Sequence, residues 1–88
     1  MKLLPKATKT SLARLVRAKG YDIPIIRYTC ISRVGHSFFL RWTDNDGQFH
    51  KAYYAAVGGK PMLLVDATVH ELTIAEVIQY GLVTASVQ

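Results

Sequence analysis

Four side chains in this chain are suited to hold a metal or to work as a nucleophile and its base: Cys30, His36, His50 and His70. None is spaced like the ligands of a zinc site, which come in close pairs along the sequence. Three lone histidines therefore read as surface or packed residues. Nothing in the segment RYTCISR around Cys30 marks an activated thiol, and a cysteine on a buried strand is chemically inert. Asp44 and Asp46 belong to a turn sequence rather than to an acid–base pair. Asp66 and Glu71, near His70, read as the acidic lead-in to a helix, where carboxylates suit the helix dipole. Gly58-Gly59-Lys60 is too short for a phosphate-binding loop and lacks the following Ser or Thr. We expect no enzyme activity, no metal and no cofactor.

The stretch with binding chemistry is FFLRWTDNDGQFHKAYY, residues 38–54. Asp44-Asn45-Asp46-Gly47 carries strong turn chemistry: Asn45 and Asp46 suit a type I turn, and Gly47 suits the left-handed position that follows it. A hairpin turning there pairs Thr43 with Phe49, Trp42 with His50, Arg41 with Lys51, Leu40 with Ala52, Phe39 with Tyr53 and Phe38 with Tyr54. Paired residues share a face. Phe38, Leu40, Trp42, His50, Ala52, Tyr54 and Ala56 then form a core face. Thr43, Arg41, Phe39, Phe49, Lys51 and Tyr53 form the other. That second face could neutralise phosphates through Arg41 and Lys51 and stack bases on Phe39, Phe49 and Tyr53. It could also enter a duplex major groove as a ribbon, or meet a protein partner, since aromatic and arginine side chains dominate such contacts. In the competing packing a helix lies over this face, burying Phe39 and Phe49 while Arg41 and Lys51 extend past it along their stems.

The elements that must position this ribbon are legible on either side. Residues 1–8 lack periodicity, contain Pro5 and read as a flexible basic arm. A helix follows over about residues 10–19. It has Leu12, Leu15, Val16 and the stem of Lys19 on one face, Thr10, Arg14 and Arg17 on the other, and Gly20 as a left-handed stop. Ile25 to Val34 reads as a strand, and Val34-Gly35-His36-Ser37 as a type II′ turn. Further strands cover about 37–43 and 48–56, and Gly58-Gly59 breaks the last. Met62-Leu63-Leu64-Val65 is an apolar run, either a buried strand or part of a helix. Thr73 and Glu76 then make a capping box, Leu72 and Val77 occupy staple positions, and Gly81 with Leu82 matches a Schellman ending. These signals predict a helix of about 74–80, with Ile74, Val77 and Ile78 as its inward stripe, followed by a short strand or a loose tail.

The chain is 88 residues long, enough for one domain with a small core. Half of it is hydrophobic, which excludes a disordered charged tail. No apolar run approaches the length of a membrane span, and Met1-Lys2-Leu3-Leu4-Pro5-Lys6 lacks the apolar region of a signal peptide. A cytoplasmic location is the expectation, and the single cysteine agrees with it. Residues 1–43 carry nine Lys and Arg against Asp22 alone, whereas residues 44–88 carry two against five acidic residues. That asymmetry suggests a basic side, or serves solubility alone.

Together these readings predict an α+β domain: an N-terminal helix, a three- to four-stranded antiparallel meander and a short C-terminal helix. The expected function is a small non-enzymatic accessory or regulatory protein that binds nucleic acid. Arg41, Lys51, Phe39, Phe49 and Tyr53 would form the contact face, and Arg14, Arg17 and Arg33 would add phosphate contacts. The alternative is a modulator or inhibitor that docks the same face on a larger protein, helped by Trp42 or Tyr80 if exposed. Edge strands in so small a sheet also invite a homodimer.

Overall fold

The computed structural model describes residues 2–24, 30–34, 37–57 and 60–86, with side chains over 6–24, 37–56 and 60–84. The fold is α+β, as the sequence predicts. Its elements run β1 (Lys2–Pro5), α1 (Lys9–Ala18), β2 (Cys30–Val34), β3 (Ser37–Thr43), β4 (Phe49–Val57), β5 (Lys60–Val65), β6 (Thr68–Glu71), α2 (Ile74–Gln79) and β7 (Val83–Ser86). Strands β2 to β6 form one antiparallel meander in sequence order, with β2 and β6 at its edges.

The predicted hairpin is present residue for residue. Phe38 pairs with Tyr54, Phe39 with Tyr53, Leu40 with Ala52, Arg41 with Lys51, Trp42 with His50 and Thr43 with Phe49. The turn is closed by the Asp44 amide donating to the Gln48 carbonyl at 3.0 Å and the Gly47 amide donating to the Asp44 carbonyl at 3.1 Å. Gly47 has φ +81°, a conformation that favours glycine. The Asp44 side chain secures the loop from inside, its Oδ1 accepting from the Asp46 and Gln48 amides, both at 2.9 Å.

Both helices pack on the same side of this sheet. In α1, Leu12, Leu15 and Val16 are fully buried, and they join Phe38, Leu40, Trp42, Ala52, Tyr54, Leu63, Val65, Leu72, Val77 and Leu82 in one core. Thr8 caps α1, its hydroxyl accepting from the Ser11 amide at 3.1 Å while Ser11 Oγ accepts from the Thr8 amide at 2.8 Å. The capping box of α2 is the one the sequence predicts, with Thr73 accepting from the Glu76 amide and Glu76 Oε1 accepting from the Thr73 amide, both at 3.1 Å. Its ending also follows the sequence: Leu82 N–H donates to Val77 at 2.9 Å and Gly81 N–H to Ile78 at 3.1 Å. Lys19 and Glu76 tie the two helices together at 2.6 Å.

Several expectations change. Lys2–Pro5, read as part of a flexible arm, is β1, paired antiparallel with β7. The Met62–Val65 run is strand, with Leu63 and Val65 buried and Met62 and Leu64 half-buried, so it alternates rather than being buried on both faces. Residues 68–71, read as the approach to a helix, extend the meander as β6. The β5–β6 turn needs positive φ at Asp66, +53°, which aspartate tolerates better than most residues. The residue 25–29 part of the first predicted strand, Gly35-His36 of the predicted type II′ turn and the Gly58-Gly59 break lie outside the described residues.

Candidate nucleic-acid interface

The face of β3–β4 opposite the helices is open from Phe49 to Phe39; farther along β4 the pattern changes, with Ala55 buried and Ala56, expected on the core face, exposed. Phe49 is 85% exposed, Phe39 is 37% exposed, and Arg41 and Lys51 are both exposed. Tyr53 and Thr43 are half-buried. The alternation that buries Phe38, Leu40 and Trp42 against the helices dictates this, because their strand neighbours must point the other way. The alternative packing, a helix over Phe39 and Phe49, does not occur: α1 spends its apolar stripe on the core face, and α2 adds Val77 to it, while Ile74 and Ile78, expected to face inward, are 37% and 40% exposed.

Phe39 and Tyr53 are a cross-strand ring pair with centroids 4.9 Å apart and planes inclined by 48°. The Tyr53 hydroxyl is held 3.0 Å from Ser37 Oγ, which fixes that ring. Phe49 stands at the far end of the same face, without a ring partner among the described residues. Between the rings sits the Arg41–Lys51 pair, two like charges directly opposite each other, an arrangement that costs stability in a sheet. Among the described residues neither forms an ion pair. The site is thus a row: ring, cation pair, ring pair.

The other predicted contacts do not join this row. Arg14 and Arg17 are exposed on α1, on the opposite side of the sheet from Phe49. The Arg17 guanidinium is already engaged, donating from Nε (3.0 Å) and Nη2 to the Ile23 carbonyl. Arg33 pairs with Phe38, a core-face register position, rather than with Phe39 or Arg41; its side chain lies outside the described residues. The basic first half of the chain is therefore divided between two sides of the molecule. Trp42 is buried, its Nε1 donating to the Asp22 carbonyl at 3.0 Å, and Tyr80 packs against the core. Neither adds to the open face.

The structure adds an arrangement the sequence did not disclose. His50 lies between two carboxylates at the tip end of the ribbon, Nδ1–H donating to Asp66 Oδ2 and Nε2–H to Asp44 Oδ2, both at 2.7 Å. The ring also stacks on Trp42, with centroids 5.4 Å apart. The hydrogen bond to Asp66, then that to Asp44, raises the His50 pKa above its ordinary value against the pull of burial. Asp44 is lowered, first by His50 and then by the Gln48 amide. For Asp66 burial is the largest single influence and acts upward, but the His50 and Lys51 hydrogen bonds outweigh it and leave the pKa lowered. The two carboxylates take opposite edges of one ring, so the trio is an ionic clasp and not a chelate. Among the described residues no group of three or more His, Cys, Asp or Glu side chains is placed to hold a metal ion. His70 shares a 2.7 Å hydrogen bond with the Tyr21 hydroxyl; His36 and the Cys30 side chain lie outside the described residues.

Within the described residues no helix is long and apolar enough to cross a membrane. Comparison of the chain with known protein families, with curated proteins and with solved structures finds no match.

Proposed function

We propose that this chain is a small non-enzymatic accessory protein that binds nucleic acid on the open face of the β3–β4 hairpin, in the cytoplasm. The observation that carries this is the Arg41–Lys51 pair: two exposed cations held opposite one another on an uncovered sheet face, flanked on both sides by exposed rings. A phosphate between them relieves their repulsion and releases counterions, while the rings offer bases a stacking surface. Titration of the isotopically labelled protein with an oligonucleotide at low salt tests the reading. The amides of Phe39, Arg41, Phe49, Lys51 and Tyr53 should shift together while those of Arg14 and Arg17 stay in place. Absence of any shift on this face rules the reading out.

A second reading is favoured by a different part of the same side. Beyond Tyr53 the face continues over Met62, Leu64 and Val69, the last 57% exposed, into an open cleft of about 600 Å³ bordered by Ile74. An apolar extension of this kind suits a protein partner, for which the chain would be a modulator or inhibitor. Binding that barely responds to salt and is lost on Val69→Asp would mark that function.

A further inference from the structure

Building on the nucleic-acid reading, we infer that the ligand is a single strand lying along the β3–β4 face, and that duplex DNA entered by the hairpin is excluded. A ribbon reads a duplex by pushing its tip and both flanks between two phosphate walls, in a groove about 12 Å wide. The tip of this hairpin is acidic. Asp46 is exposed at the turn, and Asp44 and Asp66 stand on either side of His50, one cation set against two anions. Asp22 is drawn to the same end, its Oδ2 accepting from Asn45 Nδ2 at 2.9 Å. Phosphate walls would meet carboxylates first.

The cations are set back from the tip and on one face only. Arg41 and Lys51 can line a single phosphate track but not two walls. The rings lie before and after that track. Phe49 and Tyr53 occupy the same face of β4, four residues apart, which at the rise of an extended strand is about 14 Å. Ring, cation pair, ring along one line suits an extended unpaired strand, with non-adjacent bases on the two ring positions and the intervening phosphates on the cations. In a duplex the base faces are already stacked on one another and unavailable to Phe49. The described β3–β4 open face also carries no Asn, Gln, Asp or Glu to read base edges; beside its rings and cations it has Thr43 and Ser37, the latter bonded to the Tyr53 hydroxyl at 3.0 Å. The binding is therefore tolerant of sequence and, resting on two cations, weak and salt-dependent.

Fluorescence anisotropy with a labelled single strand and the corresponding duplex, at low salt, tests this on the whole chain. The single strand should bind more tightly, and Phe49→Ala should weaken it by about tenfold, the loss of one stacked base, with an unchanged circular dichroism spectrum. Asp46→Lys should raise duplex affinity several-fold and leave the single strand little changed. Equal or tighter duplex binding, or a single-strand affinity indifferent to Phe49→Ala, overturns this inference while the nucleic-acid reading stands. Failure of both probes to bind removes that reading, and this inference with it.

Discussion

Arg41 and Lys51 face each other across β3 and β4 on the side of the sheet that no helix covers. In a protein selected for stability alone, one of these two positions would carry the opposite charge. Placed directly opposite each other, the two like charges are a local cost to the sheet, and the proposed function gives them a use as a phosphate site.

Arg41→Glu converts this repulsion into a cross-strand attraction. Its stability should rise by about 0.2–1 kcal/mol while nucleic-acid binding is lost. Denaturant titration and anisotropy on the same sample check both halves. A variant that loses stability and keeps binding contradicts the assignment.

Two apolar residues of the hairpin should respond oppositely to truncation. Leu40 is 0% exposed beneath α1, and Leu40→Ala should cost about 2–5 kcal/mol. Phe49→Ala, on the open face, should change stability by no more than about 0.5 kcal/mol. Urea midpoints at constant slope decide between this and a Phe49 that is buried in solution.

Much of this contrast is legible in the sequence, because turn chemistry and alternation reinforce each other between residues 38 and 54. Asp-Asn-Asp-Gly fixes where the chain turns, and the turn fixes which residues share a face. The α2 caps are equally local. What is not legible depends on contacts between distant segments. The β1–β7 pairing joins the first residues to the last, and Lys2–Pro5 has no periodicity of its own to announce it. Strand β6 is four residues long and begins after a turn that only the φ of Asp66 reveals. The Thr8 capping box uses Ser11 where the familiar pattern has Glu or Gln. The Asp44–His50–Asp66 clasp needs two strand registers at once; Asp44 and His50 follow from the hairpin, but Asp66 arrives only through the pairing of β4 with β5. The basic first half misled in one respect: α1 and β3 place their cations on opposite sides of the sheet.

The clasp gives the hairpin tip a pH dependence. The folded pKa of His50 lies above its ordinary 6.5, so its contribution is complete below about pH 6.5 and is lost as pH rises through the raised value. Asp44 and Asp66 lie below their ordinary 3.8, so theirs is complete above about pH 4 and is lost as pH falls through the lowered values. The tip is therefore tightest between these limits. Melting temperatures of the parent and His50→Gln, compared across pH, should converge on the alkaline side. A difference constant with pH would show that His50 is not charged in the folded chain.

Tyr54 is 3% exposed, and among the described residues its hydroxyl has no hydrogen-bond partner. Burial alone raises its pKa. An unpaired buried hydroxyl costs more than its absence, so Tyr54→Phe should be stabilising by about 1 kcal/mol. A loss of stability in denaturant titration would reveal a partner for Tyr54 Oη.

The central claim, that Arg41 and Lys51 hold phosphates, is tested most directly by the salt dependence of single-strand binding. Two neutralised phosphates predict a log–log slope of about −1.4. Arg41→Gln should bring that slope to about −0.7. A slope near zero in the parent chain, or one that Arg41→Gln leaves unchanged, would contradict the account.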